Sequence, residues 1–349
     1  MSMIDHPLVQ LTIARFRMFF REPSAVFWTF GFPILMTVVL GVAFRDKAPE
    51  PVYAAIVRGQ GDAQLSTALT SSRDVKFELL DAPEAAKALR TGRVAIAIVP
   101  AHDGQPRTYQ FDSARPESRL ARALVDDALQ RADGRKDPTP ITDQHVQERG
   151  SRYVDFLVPG LLGMSLMSSG MWGIGYVLVE MRTRKLIKRM LATPMRRVHF
   201  LLSFVFMRLL FLLIEVPFML IFARLAFGVQ MAGSYALFGA LTVAGGFAFS
   251  GLGLLVASRA QNTQTVGGLM NLVMMPMFMC SGVFFSTAHF PAAMQPIIKA
   301  LPLTALNDAL RAVLNEGAGV SVVAMPLAIL SAWTICTIGV ALRIFRWTT

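Results

Sequence analysis

The chain has 349 residues, 54% apolar and only 16% charged, whereas soluble domains carry about a quarter charged residues. With a mean hydropathy of +0.49, two cysteines and no low-complexity tract, a single soluble domain, a disulfide scaffold and a disordered chain are excluded. The net charge of +11 could suggest nucleic acid, but residues 45–152 hold 17 basic and 16 acidic residues while the other 241 hold 17 and 7. The surplus cations therefore lie beside the apolar runs, where they report topology, and nucleic acid is not an expected partner.

Residues 1–24 read as an amphipathic helix lying in a membrane surface. Gln10, Ala14, Arg17 and Arg21 form a thin polar stripe, and Leu11, Ile13, Phe16, Met18 and Phe20 occupy the rest. Pro23 breaks that helix at the residue before it. Six apolar runs follow at 25–44, 156–179, 198–227, 229–258, 263–288 and 320–342, each long enough for a helix of roughly 20 residues to cross a bilayer. The first run exceeds the roughly 7–15 residues of a secretory signal core and is expected to stay as a span. Short loops place 13 Lys and Arg on one side and three on the other, so both termini are expected in the cytoplasm and 45–152 outside. Cys280 and Cys336 fall inside apolar runs and read as small hydrophobes.

Within 45–152 the pattern predicts strands at 52–57, 75–80, 94–99 and 108–111 and helices at 62–70, 83–91 and 116–131. Strands alternating with helices define a small α/β domain, followed by a loop over 133–147. The expected fold is therefore a membrane all-α protein. It has six transmembrane helices, an N-terminal interfacial helix and an inserted extracytoplasmic α/β domain. The segments are 1–24, 25–44, 45–152 and 153–349.

The loop after the second run is the most informative. Read as a helix, it sets Leu186, Ile187, Met190 and Leu191 in an apolar stripe flanked by Lys185, Lys188 and Arg189, and Thr193 and Pro194 end it. A short amphipathic helix offers a ridge to a partner's groove, while a basic loop that merely stays inside would leave the apolar stripe unexplained. In the third run Arg208 and Glu215 share one face, about 10 Å apart along the axis. An intramembrane charge marks either function or a structural ion pair with another helix. On the functional reading Glu215 faces the pathway between two copies. Ser169 with Gly173 and Gly246 with Ser250 are candidate close helix contacts. After the fifth run, residues 288–316 are too apolar for a water-bathed loop and too broken for a full crossing, and read as short re-entrant helices. The sequence contains no phosphate-loop motif, no His-Glu-x-x-His and no nucleophile–base arrangement. No enzymatic activity and no cofactor are expected of this chain.

These pieces resemble the permease subunits of type-2 ATP-binding-cassette (ABC) transporters, in the subgroup with a large domain after the first span. The resemblance rests on Glu180, Arg182, the leucines and Thr193-Pro194 of the loop. It rests also on residues 279–285, on Phe290-Pro291 and on the run from Leu301 through Asn307 and Asp308 to Arg311, and on residues 85–100. Where the family often carries a Gly-Thr pair, this chain has Arg184 and Lys185.

The resemblance implies a half-transporter in a bacterial inner membrane. A second permease chain, identical or not, and a separate ABC ATPase are its implied partners, with membrane lipid and an accessory periplasmic adaptor. The implied coupling helix is 182–194, and coupling would run through Glu180, Arg182, Leu186, Lys188, Arg189, Leu191 and Pro194. Export of an amphiphilic, lipid-like or drug-like molecule is the expected function. The alternative is a membrane anchor or sensor whose α/β domain binds a ligand or envelope partner without transport.

Overall fold

The computed structural model describes residues 7–344 except 22, 45–50, 71, 73, 102–105, 137–149, 151 and 192–196. Pro194 and most of the expected 133–147 loop lie outside the described residues. The chain divides into two compact units, Met1–Arg45 with Gln147–Thr349, and Asp46–Val146.

The first unit begins with α1 (Pro7–Phe20), a four-residue α2 (Pro23–Val26), a π-helical segment Phe27–Gly31 and α3 (Phe32–Ala43). The apolar run expected over 25–44 is thus one helical stretch broken by a wider π turn. Its apolar part, Thr29–Ala43, is shorter than a full span.

In the second unit β1 (Val52–Val57), α4 (Asp62–Thr70), β2 (Val75–Leu80), α5 (Ala82–Thr91), β3 (Ile96–Val99), β4 (Thr108–Gln110) and α6 (Pro116–Ala132) follow in order. The sheet order is β2-β1-β3-β4. The first three strands are parallel and β4 is antiparallel to β3. Alternate residues serve the two faces. Ala54, Ile56, Val75, Ile96 and Ile98 pack on α4 and α6 through Leu65, Leu69, Val125 and Leu129. Ala55, Val57, Leu80 and Ala97 pack on Ala85 and Ala88 of α5. At the end of α6 a hydrogen bond from Arg135 holds the Asp127 carboxyl below its ordinary range, with Arg131 at 2.9 Å beside it.

The first unit resumes with α7 (Tyr153–Gly170), a second π segment Met171–Tyr176, α8 (Val177–Thr183), α9 (Leu186–Leu191), α10 (Arg197–Phe227), α11 (Tyr235–Arg259) and α12 (Thr263–Cys280). Two 3₁₀ turns, α13 (Gln295–Ala300), α14 (Pro302–Glu316) and α15 (Val320–Ile344) complete it. Among the described residues, four helical stretches are long and apolar enough to cross a membrane. They are Tyr153–Thr183, Phe206–Phe227, Tyr235–Arg259 and Val320–Ile344. The fifth run ends sooner than its hydropathy suggests. α12 stops at Cys280, because Gly282 turns the chain at φ 67°.

The core of this unit surrounds α11, whose Phe238, Leu241, Phe249 and Leu252 are buried against α7, α14 and α15. Polar side chains cap α11 and α12: Ser234 accepts from Leu237 N–H at 3.4 Å, and Asn262 from Thr265 N–H at 2.7 Å. Phe16 and Phe19 of α1 lie 5.7 and 4.3 Å from the Phe211 ring of α10, while Met18 and Arg17 point outward. α1 is therefore a separate helix with one face packed.

Of the expected small-residue positions Gly246 is a close helix contact and Gly173 is not, and other glycines pack closer still. Gly173 has open space around it, whereas a Cβ on Gly253 would come within 2.9 Å of the Met171 backbone and one on Gly163 would overlap Asn307 Oδ1. Gly246 does meet Leu212, whose side chain would lie only 3.0 Å from an added Cβ. Gly163→Leu is expected to drive α14 off α7 and cost about 1–3 kcal/mol by overpacking. A lowered unfolding temperature in detergent checks this, and an unchanged one would mean that the two helices part easily.

Candidate functional site

Three groups of side chains in the first unit join helix to helix, and each begins from a local backbone need. The first is the turn between α8 and α9. Arg184 N–H closes α8 on Glu180 O, and Lys185 N–H reaches Arg182 O, both at 3.0 Å. The reversal leaves Lys185 at φ 57°, a left-handed conformation that costs a side-chain-bearing residue roughly 1–2 kcal/mol. Lys185→Gly is therefore expected to raise stability by about 1 kcal/mol, read as a higher unfolding temperature. A fall would show that the lysine side chain holds the turn.

Around this turn the expected coupling residues take different positions. Arg182 is buried, and its Nη1 donates to Ala260 O at 3.1 Å, fastening the end of α8 to the end of α11. Glu180 and Arg184 pair at 2.8 Å near the surface, a contact worth at most about 0.5 kcal/mol. Leu186 is half-buried, and Lys188 and Arg189 are exposed. Leu191 ends α9. The turn is thus anchored on its span side by Arg182 and presents cations on the other.

The second group lies inside α10 and α7. Arg208 and Glu215 are 6% and 3% exposed and meet at 3.6 Å. The anticipated partner on another helix is not what the structure shows: the two side chains reach along α10 and close the two-turn gap themselves. α7 supplies the bridging groups. Ser165 Oγ is 2.5 Å from Glu215 Oε1 and 3.3 Å from Thr29 O of the first π segment. Its single hydrogen serves one of these acceptors at a time. Arg208 donates to Ser169 Oγ at 2.7 Å and to Leu166 O at 3.0 Å. Ser169 is therefore a polar partner of Arg208. Glu215 is enclosed within one chain.

The third group includes Asn307 and Arg311, which the sequence offered only as part of the Leu301-to-Arg311 run and without a role for their side chains. Pro159 lies inside α7 and has no N–H for the carbonyl four residues before it, which is that of Asp155. Asn315 Nδ2 donates to that carbonyl at 3.0 Å. Four residues earlier on α14, Arg311 donates to Phe156 O at 3.1 Å and to Gly282 O, and lies 3.7 Å over the Phe156 ring. Another four residues earlier, Asn307 donates to Ser281 O at 3.0 Å. One stripe of α14 thus supplies donors to the start of α7 and the chain leaving α12. Beside it, Arg152 grips Asp155 at 2.9 and 3.0 Å and caps α10 through Phe227 O at 2.9 Å. The four-residue spacing of Asn307, Arg311 and Asn315, with a proline inside an apolar run, is the signal that would have found this group. Among the described residues no set of His, Cys, Asp and Glu is arranged to hold a metal ion.

A bundle of apolar helices, held by buried polar staples and carrying a cationic turn, defines a multi-pass membrane protein. Residues 23–343 match the profile of the ABC-2 family transporter proteins. The chain belongs to that family, and its role is that of a permease in ABC transport. The family implies an ABC ATPase as partner. No curated protein matches the chain.

Proposed function

We propose that this chain is one half of an ATP-driven exporter in a bacterial inner membrane. Its six apolar runs are taken as six spans, and the 13-to-three cation bias places both termini in the cytoplasm and the α/β domain at 45–152 outside. Two permease chains pair, and alternating access between them moves an amphiphilic, lipid-like or drug-like molecule outward. ATP is hydrolysed on the separate ATPase. Its closure enters through α9 and passes into the second span. Glu180 and Arg182 hold the span end, Leu186 and Leu191 supply the apolar ridge, and Lys188, Arg189 and Pro194 frame it. Arg208 and Glu215 tie the third span to the second.

One observation carries this reading. The α8–α9 turn is fastened to α11 by the buried Arg182 while Lys188 and Arg189 stay exposed, so a push on α9 reaches the bundle and does not dissipate in a loose loop. The test is co-purification of the full chain with its ATPase, then ATP hydrolysis in lipid. Leu186→Asp with Leu191→Asp is expected to release the ATPase and leave the elution profile of the membrane chain unchanged. An ATPase that stays bound would place the docking surface elsewhere.

A further inference from the structure

In the α/β unit, strand β2 is an edge of the sheet. Val52 N–H bonds Asp74 O at 2.8 Å and Arg58 N–H bonds Leu80 O at 3.0 Å. With Val52 opposite Val75 and Val57 opposite Leu80, Lys76, Glu78 and Leu80 turn their backbone groups toward β1. Val75, Phe77 and Leu79 turn theirs outward. Among the described residues no strand pairs on that side. An open groove of about 720 Å³ runs along it, lined among others by Leu69, Ser72, Phe77 and Arg93. The edge is six residues long, contains no proline and carries Leu79 at 41% exposure. Such an edge is a template for another strand. The opposite edge, β4, has only three residues.

We propose that β2 pairs antiparallel with β2 of a second copy of this chain, about a two-fold axis through Phe77, making one sheet of two. The backbone pattern favours that axis. It sets Phe77 opposite its own copy and Val75 opposite Leu79, so the three outward-facing residues of each strand exchange all their hydrogen bonds. An axis through Val75 or Leu79 would leave outward groups of β2 without partners in the other β2. The charges agree with the backbone. The same register sets Lys76 opposite Glu78 twice, in the non-hydrogen-bonded positions where side chains come closest, and opposite charges are favoured there. Arg93 holds Glu78 at 3.0 and 3.3 Å on that face. The contact is self-complementary, as a two-fold interface requires. This inference rests on the pairing of two permease chains proposed above, and it makes the two identical.

The test uses the full chain in membranes, with Cys280 and Cys336 replaced by alanine. Phe77→Cys is expected to give a covalent dimer under mild oxidation. Adding Lys76→Glu sets like charges opposite each other at both positions and should lower the crosslinked fraction about tenfold, and Lys76→Glu with Glu78→Lys should restore it. Lys76→Cys with Glu78→Cys, at accessible positions, gives a second reporter should Phe77→Cys fail to accumulate. Light scattering of the purified chain measures the oligomer separately. A homodimer that yields no crosslink with either reporter overturns the strand pairing and leaves the paired permease standing. A crosslink to another envelope protein gives the edge to an adaptor and also overturns it. A monomer, or a pair with a different permease, overturns it by removing the second copy.

Discussion

Replacing Arg208 alone by methionine is expected to cost the first unit about 3–5 kcal/mol, because Glu215 then remains buried without its cation. Ser169 Oγ and Leu166 O lose their donor in the same step. Replacing Glu215 by glutamine as well should recover most of that loss. The glutamine is neutral, and its side-chain oxygen can still accept from Ser165, which bonds Glu215 Oε1 in the native chain. The measurement is unfolding temperature and membrane-inserted yield of both single variants and the double. A double variant as damaged as Arg208→Met would mean that the pair is not what holds α10 to α7. The same geometry bears on Glu215→Gln alone. Since the carboxylate is enclosed by helices of its own chain, protein level and transport should fall together.

The second large effect is expected at Arg311. Arg311→Ala removes the donors of two carbonyls, Phe156 O and Gly282 O, and should cost about 3 kcal/mol. Arg311→Lys should recover only part of it. One ammonium on a flexible stem cannot span both oxygens and lie flat over the Phe156 ring as a planar guanidinium does. Asn315→Ala touches a single carbonyl and should cost about 1 kcal/mol. The order Arg311→Ala, Arg311→Lys, Asn315→Ala in thermal unfolding is the observable. If Asn315→Ala proved as severe as Arg311→Ala, the orphaned carbonyl before Pro159 would matter more than its single bond suggests.

Much of the architecture was legible in the residues, for definite reasons. The strand and helix rhythm of the α/β unit came through within two residues because each element carries its own period. β3 shows the largest offset, starting at Ile96 where alternation suggested Val94. The helix break at Pro23 and the short helix after the second apolar run were also readable, since proline and an apolar stripe leave local marks. Tertiary partners were not readable in the same way. A seven-residue spacing says that Arg208 and Glu215 share a face. It does not say that two long side chains will bend toward each other around serines from α7. Hydropathy cannot distinguish α-helix from π-helix, so both π segments were invisible. Small-residue spacing pointed to Gly246, which does meet Leu212, and to Gly173, which faces open space, and passed over Gly163 and Gly253, because size alone does not tell which face of a helix meets a neighbour.

The segment Met171–Tyr176 has a mechanical consequence. It separates two fastened stretches of one continuous helical rod: Ser165 and Ser169 are bound to α10 above it, and Arg182 is bound to α11 below it. A π turn holds more residues than an α turn, so those six residues set the angle between the face that carries Ser165 and Ser169 and the face that carries Arg182. Rewinding them as an α-helix would rotate one set of attachments relative to the other, so both can hold at once only with the wide turn in place.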